Sequence, residues 1–453
     1  MNQQDRLRTS PIPKLIASLS IPAILSMLVS SLNTAIDRVF IARGVGTVAL
    51  AGVTVSTGVV LILQGFSLLL AAGGAAMLAM KLGKRDLAGA ERIIGNANTL
   101  AVLLAAALTV AGFLVLNPLL SLYGASAENH AFAVQYSVVI VGGTLPFILA
   151  QTNTNLLKGM GYAKRALFNF AAGILLNVLL DALFILVFGW GVRGAALATI
   201  LGYLLSAALS IAFLCSHKST ARFRPANLRL VAPIVKAMVK IGLPACLTQI
   251  SLSFLALSFN HVAQGIGGST AVASYGIIYS VVMLVYMPIM GLGQGIQPIL
   301  GYNLGAGNHG RVRQALAKSL LYVTIFCVLA FGVIELFSGP IAVFFGGGAN
   351  PELVALTKHG LRLFCLTVPI VGVDMIGANY FQYIGKYRES MLLSALRQII
   401  LTIPLVWLLP KFFGLDGMWL ATPVADAVVF VVTVFFLKKE ISSTKLKTAP
   451  ESA

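Results

Sequence analysis

An all-α integral membrane protein, with 12 transmembrane helices in two parallel six-helix lobes related by a pseudo-twofold axis along the membrane normal, is the fold class that three observations predict. The first is composition. Of 453 residues, 58% are hydrophobic and only 10% charged, with a mean hydropathy of +0.92. An ordinary soluble domain carries roughly 25% charged residues, so too little polar surface remains here to coat a water-soluble globule. The second is a succession of twelve apolar runs, each long enough to cross a hydrocarbon core that needs about 20 helical residues. The third is a repeat: shifting the sequence by about 222 residues aligns it with itself at several separate places.

Helix 1 spans residues 15–42. It follows Arg6, Arg8 and Lys14 as a signal peptide's apolar core would, but it runs on without a small-residue cleavage pattern and so reads as retained. Helices 2 and 3 cover 48–80 and 93–117, and helix 4 covers 132–156. Helix 5 (166–188) is apolar apart from a few polar residues such as Asn177 and Asp181, and helix 6 (193–215) completes the first half. Residues 1–217 then form an N-lobe, 218–235 a basic linker and 236–453 a C-lobe. In the second half the runs are 233–262, 271–299, 316–338, 355–383, 391–413 and 416–437. Pro22, Pro146, Pro244, Pro288, Pro369 and Pro404 supply kinks, and the spans over 25 residues must tilt, bend or extend past the lipid.

The repeat is visible in four stretches. Leu19-Ser20-Ile21-Pro22-Ala23 answers Ile241-Gly242-Leu243-Pro244-Ala245, and Gly44-Val45-Gly46 answers Gly265-Ile266-Gly267. Leu82-Gly83 answers Leu304-Gly305, and Gly194 to Thr199 answers Gly417 to Thr422. The shift stays between 221 and 224, which scattered apolar coincidences would not do. Six helices return the chain to its starting side, so the halves run parallel. Parallel lobes are a recurrent transporter plan with the transported species bound between them, although duplication also builds channels and passive scaffolds.

Charge gives the orientation. Of 32 Lys and Arg, 26 fall before helix 1, in alternate loops with the adjoining helix ends, and after helix 12; Arg38, Arg43, Arg193, Lys358, Arg362 and Lys411 fall on the other side. That split follows the positive-inside rule and predicts cytoplasmic termini. The formal charge of +18 is therefore an orientation signal, and the cluster Lys218, Arg222, Arg224, Arg229, Lys236 and Lys240 lacks the interleaved aromatics of a nucleic-acid surface. Cys215, Cys246, Cys327 and Cys365 stand singly in apolar sequence as small buried hydrophobes. The five His residues form no metal-ligand spacing and no Ser/His/Asp grouping, which argues against an enzyme and against a bound metal.

Five acids fall within or at the ends of spans: Asp37, Asp181, Glu335, Asp374 and Asp426. A carboxylate inside the bilayer is costly and usually faces a cavity or a partner. Asn33 and Asp37 are four apart and share a helix face, and Asn177 and Asp181 repeat the arrangement on helix 5. If the two faces meet, the acids could take up a proton or hold Na⁺ with oxygen ligands. The plainer alternatives are a pair between Asp37 and Arg38 or Arg43, and a capping or bridging role for Asp181. Glu335 reads as interfacial, and Asp374 and Asp426 as hydrogen-bonded across helices.

With those residues in view, the sequence resembles the MATE (multidrug and toxic compound extrusion) family over nearly its whole length. The resemblance is carried by Asn33-Thr34-Ala35-Ile36-Asp37 with Gly44 to Gly52, and by Leu122-Tyr123-Gly124-Ala125-Ser126-Ala127-Glu128. It continues in Asn155-Leu156-Leu157-Lys158-Gly159-Met160-Gly161, where the family usually has Arg for Lys158, and in Tyr380-Phe381-Gln382-Tyr383-Ile384-Gly385-Lys386. The bacterial DinF and MepA-like branches look most similar. The resemblance implies an inner-membrane antiporter exporting amphipathic or cationic organic compounds against inward H⁺ or Na⁺, with no other cofactor. A monomer in the lipid bilayer is expected, with small organic molecules as its partners.

Residue by residue, the resemblance implies cation coupling at Asp37, Asn177, Asp181, Asn153 and Thr199; Asn33, by its spacing from Asp37, and Asp374, about one turn from where other members carry a helix-10 acid, are secondary candidates. Helix 7 has no acid in Thr248-Gln249-Ile250-Ser251-Leu252, where other members carry one. A cavity between lobes is expected to be lined by Phe147, Tyr275, Tyr279, Met283, Met287 and Tyr380, whose side chains make adaptable contacts. The alternative is a flippase for a lipid-linked precursor, which calls for a broad, strongly basic cavity.

Overall fold

The computed structural model describes residues 3–346 and 350–448, and among them every regular element is helical. A short helix, Gln3–Thr9, precedes α1 (Ile12–Gly44), α2 (Thr47–Gly83) and α3 (Leu87–Leu122). Span α4 is two segments, His130–Gly142 and Thr144–Gly159, bent by 57°, and α5 and α6 are Ala163–Val187 and Gly191–Cys215. In the second half α7 (232–267) and α8 (269–305) run into one another and are separated by Gly268, whose φ of 60° no helix adopts. Then come α9 (His309–Gly346), α10 (Pro351–Phe364 and Val368–Tyr383, bent by 52°), α11 (Tyr387–Leu408) and α12 (Pro410–Ser442). These twelve spans match the twelve apolar runs, with the ends extended: α2 has 37 residues and α3 has 36.

Apolar side chains on the outside of this bundle are in their proper solvent. Val110 and Leu114 on α3, and Leu329 and Leu336 on α9, are exposed, as lipid-facing residues should be, while the helical backbone satisfies its own hydrogen bonds. Where the chain leaves the membrane the turns are built from charge and caps. Asp86 begins α3 by accepting from the Gly89 amide at 2.8 Å and from Lys81 Nζ at 2.6 Å, contacts that hold its carboxyl below the usual range.

The repeat reaches down to single backbone angles. Gly46 and Gly268, Gly161 and Gly385, and Gly191 and Gly414 all have positive φ, each pair 222 to 224 positions apart, and Gly307 answers Arg85 in the same way. Irregularities repeat as well. The bends of α4 and α10 precede Pro146 and Pro369, and π-helical turns interrupt α5 at Ala182–Val187 and α11 at Leu396–Thr402. A proline clashes with the carbonyl four residues back, which accounts for both bends.

On the cation-rich side the lobes approach one another backbone to backbone at glycines. A Cβ on Gly83 would lie 2.0 Å from Tyr302 O, and a Cβ on Gly305 would lie 2.0 Å from Met80 O, a reciprocal pair about the pseudo-twofold. Gly73 and Gly242 seat α2 and α7 against each other in the same manner. The short N-terminal helix lies across this junction. Arg311 donates to Ser10 O at 2.7 Å and to Leu7 O at 3.3 Å, and Gln3 Nε2 donates to Gly161 O at 2.6 Å. The basic stretch between the halves is stitched to α3: Thr99 donates to Leu228 O at 2.8 Å, Val231 N donates to Asn96 Oδ1 at 2.7 Å, and Arg224 pairs with Glu91 at 2.9 Å.

Candidate functional site

Inside the N-terminal lobe, away from the cation-rich side, lies a cavity of about 320 Å³ bounded by α1, α2, α4, α5 and α6. Asp37 and Asn33 reach it from α1, Asn177 from α5, Thr199 and Tyr203 from α6, and Tyr136 and Phe147 from α4. Asp181, fully buried, stands behind Asn177 at the point where α5 changes to the π-helical turn. The fourfold spacing does what a helix face requires: Asn33 Nδ2 donates to Asp37 Oδ2 at 3.1 Å, and Asn177 Nδ2 donates to Asp181 Oδ2 at 3.3 Å. Asn177 Nδ2 also lies 3.5 Å from Thr199 Oγ1, which donates onward to Ala195 O at 3.0 Å.

The two faces meet. Asp37 and Asn177 line the one cavity, together with Tyr136, Thr199 and Tyr203, and Asp181 joins them through its bond from Asn177. Four oxygens of this group, Asp37 Oδ1, Asp181 Oδ1, Asn33 Oδ1 and Asn177 Oδ1, are buried with no hydrogen-bond donor opposite them. Buried acceptors without donors are costly, and a cluster of them suits a bound cation with oxygen ligands or a proton shared between acids. Among the described residues no ion pair joins Asp37 to Arg38 or Arg43.

Asn153 is not brought to this group. Its amide is paired face to face with Asn98 of α3 at 2.8 and 3.1 Å, fully buried outside the cavity. The polar α4 residue that does reach the cavity is Gln151.

A second cavity, about 260 Å³, lies between the lobes and shares Gln64 and Gln151 with the first. Asp374 lines it from α10 with both carboxylate oxygens buried; Thr433 stands beside it without closing a hydrogen bond of ordinary geometry. Arg397 of α11 lines it too, paired with Asp426 at 2.7 Å and donating to Tyr286 at 3.0 Å, so the buried Asp426 is the counter-ion of a half-buried guanidinium. Glu335 is at the surface with Arg362, 3.6 Å away.

Of the six expected cavity residues, Phe147 lies on the N-lobe cavity and Met283 on the interlobe one. Tyr275 is stacked on Phe259 at 4.7 Å, Met287 receives the Ser31 hydroxyl at 3.3 Å, and Tyr380 packs edge-on against Phe381. Tyr279, near Tyr275, lies on neither cavity. The residues that sequence reasoning passed over are Tyr136, Tyr203, Gln151, Lys158 and Arg397. By position in the sequence the last two count with the cations of the cytoplasmic side, although Arg397 falls inside an apolar run.

The MatE family model matches residues 22–183 and 244–408. The chain is similar to the FAD transporter of Shewanella oneidensis, with 24% identity over 99% of both chains. It is also similar to the multidrug export protein MepA of Staphylococcus aureus, with 23% identity over 96% of each. Among solved structures, that of the MATE multidrug transporter DinF-BH in complex with R6G superposes with a TM-score of 0.90 at 33% identity, covering 97% of this chain and 98% of that one. A MATE structure in a bent conformation gives 0.92 at 24% identity over 99% of both.

Proposed function

The chain belongs to the MatE family of membrane transporters, and from that premise we propose that it is a cation-coupled antiporter exporting amphipathic or cationic organic compounds by alternating access. The observation that carries the proposal is the meeting of Asp37 and Asp181 with four donorless buried oxygens around them. Inward-moving H⁺ or Na⁺ would enter from the side holding Arg38 and Arg43, occupy this group, and leave on the cation-rich, cytoplasmic side of the bacterial inner membrane. Asn177 and Thr199 orient Asp181, Asn33 orients Asp37, and Asp374 is a secondary acid at the interlobe cavity. The protein works as a monomer.

Coupling needs the ion to bind more tightly in one lobe arrangement than in the other, since equal affinity shifts nothing. The glycine contacts of Gly83 and Gly305 form the junction that must part for the cavities to open towards the cytoplasm. Relatives named for multidrug export and for FAD both carry organic molecules, and the methionines of the interlobe cavity offer adaptable contacts to such molecules.

The test is efflux of a fluorescent organic cation from membrane vesicles under separately imposed pH and Na⁺ gradients. Asp37→Asn is expected to lower gradient-driven efflux at least about tenfold with expression intact, the effect of removing a group that acts in the coupled step. Wild-type efflux in that variant would refute the coupling role, and complete loss in Asp374→Asn with Asp37 intact would move the ion site to the C-terminal lobe.

A further inference from the structure

Lys158, on α4, is 6% exposed and lines the interlobe cavity. Its ammonium donates to Gln294 Oε1 of α8 at 2.8 Å, across the lobes, and among the described residues no acid pairs with it. Arg397, on the same cavity, is matched by Asp426. An ammonium has three protons to donate, and one neutral amide oxygen accepts one of them. Burying a charge without an opposite one is among the costlier things a protein does. As a bare link between lobes, a neutral side chain would bond Gln294 without that cost.

The surroundings narrow what the charge is for. The amides of Asn155 and Gln249 lie on the same wall system, and Met27, Met283 and Met290 supply apolar, deformable surface. Asp374 lines the same cavity but forms no ion pair with Lys158, so a polar end whose ammonium has only an amide partner, with an apolar end of thioethers, suits an amphipath whose polar group is an acid. We propose that Lys158 seats the carboxylate or phosphate of an organic substrate in the interlobe cavity, with its apolar body against the methionines. This rests on the transporter reading, and within it predicts that an amphipath carrying an acid, zwitterions included, is held more tightly than its counterpart without one.

Two matched probe pairs test it on the purified full chain in lipid nanodiscs, by fluorescence binding with no ion gradient. Rhodamine 19 carries a free carboxylate, and rhodamine 6G is its ethyl ester; riboflavin 5′-phosphate carries a phosphate that riboflavin lacks. The acid-bearing member of at least one pair should bind about tenfold more tightly, the usual scale of a buried charge-assisted hydrogen bond, and the pair that discriminates identifies carboxylate or phosphate. Lys158→Met should erase the preference and Lys158→Arg should keep it. Gln294→Glu, which places an acid beside the ammonium, should erase it with Lys158 still present, and decides the matter if Lys158→Met does not fold. Equal binding within both pairs, or a preference that survives Lys158→Met or Gln294→Glu, overturns the proposal. Because no gradient is applied, failure of coupling at Asp37 and failure here are read separately.

Discussion

Asn98 and Asn153 exchange hydrogen bonds in the buried contact between α3 and α4, whereas Asn33 and Asn177 each serve an acid four residues on. Those acid groups were legible in the sequence because a spacing of four is one face of a helix and an acid in an apolar run has few innocent uses. That α4 presents Gln151 rather than Asn153 to their cavity was not legible, because the polar residues of α4 differ only in rotation about the helix axis, and packing fixes that. Removing one partner of a buried pair strands the other, at about 1–3 kcal/mol. Asn153→Ala should therefore lower the unfolding temperature in detergent while the pH and Na⁺ dependence of transport stays as in the wild type. A changed ion dependence with unchanged stability would count against this placement. Lys158 was hidden for a different reason: it stands just past the end of an apolar run, where a lysine ordinarily marks the membrane surface.

At the level of the helices, hydropathy located all twelve spans, since length and apolarity are set by the bilayer. Prolines located the bends of α4 and α10. The π-helical turns of α5 and α11 have no such marker: Thr402 is followed by Pro404, but Ala182–Val187 contains no proline. The close approach of α2 and α8 was present only as small residues in the repeat, and it became specific once Gly83 and Gly305 were seen against facing carbonyls. A methyl at either position must push two backbones apart. Gly83→Ala and Gly305→Ala should each loosen the cation-rich junction, read as faster thiol labelling of a cysteine placed at Gln297 in inside-out vesicles. Unchanged labelling would mean that the junction does not control entry.

For the molecule as a whole, the repeat of about 222 residues made the two-lobe plan legible, and the recurrence of positive φ at matching positions shows how finely it is kept. The contacts that tie the start of the chain to α9 were not legible, because they join residues about 300 positions apart through backbone oxygens. Arg311 makes three of them or their supports, to Leu7 O, Ser10 O and Asn303 Oδ1. Arg311→Ala should free the Gln3–Thr9 helix, read as faster amide exchange over residues 3–10 with little change in α1. Exchange as slow as the wild type would mean that Gln3 and the burial of Leu7 suffice.

The stitching of the interlobe segment to α3 has a mechanical consequence. With Leu228 and Val231 both bonded to Asn96 or Thr99, the connecting chain has almost no slack, and its last anchored residue immediately precedes α7. The start of α7 is thus held beside α3, and any displacement of the second lobe that carries residue 232 away from α3 must first break the bond between Val231 N and Asn96.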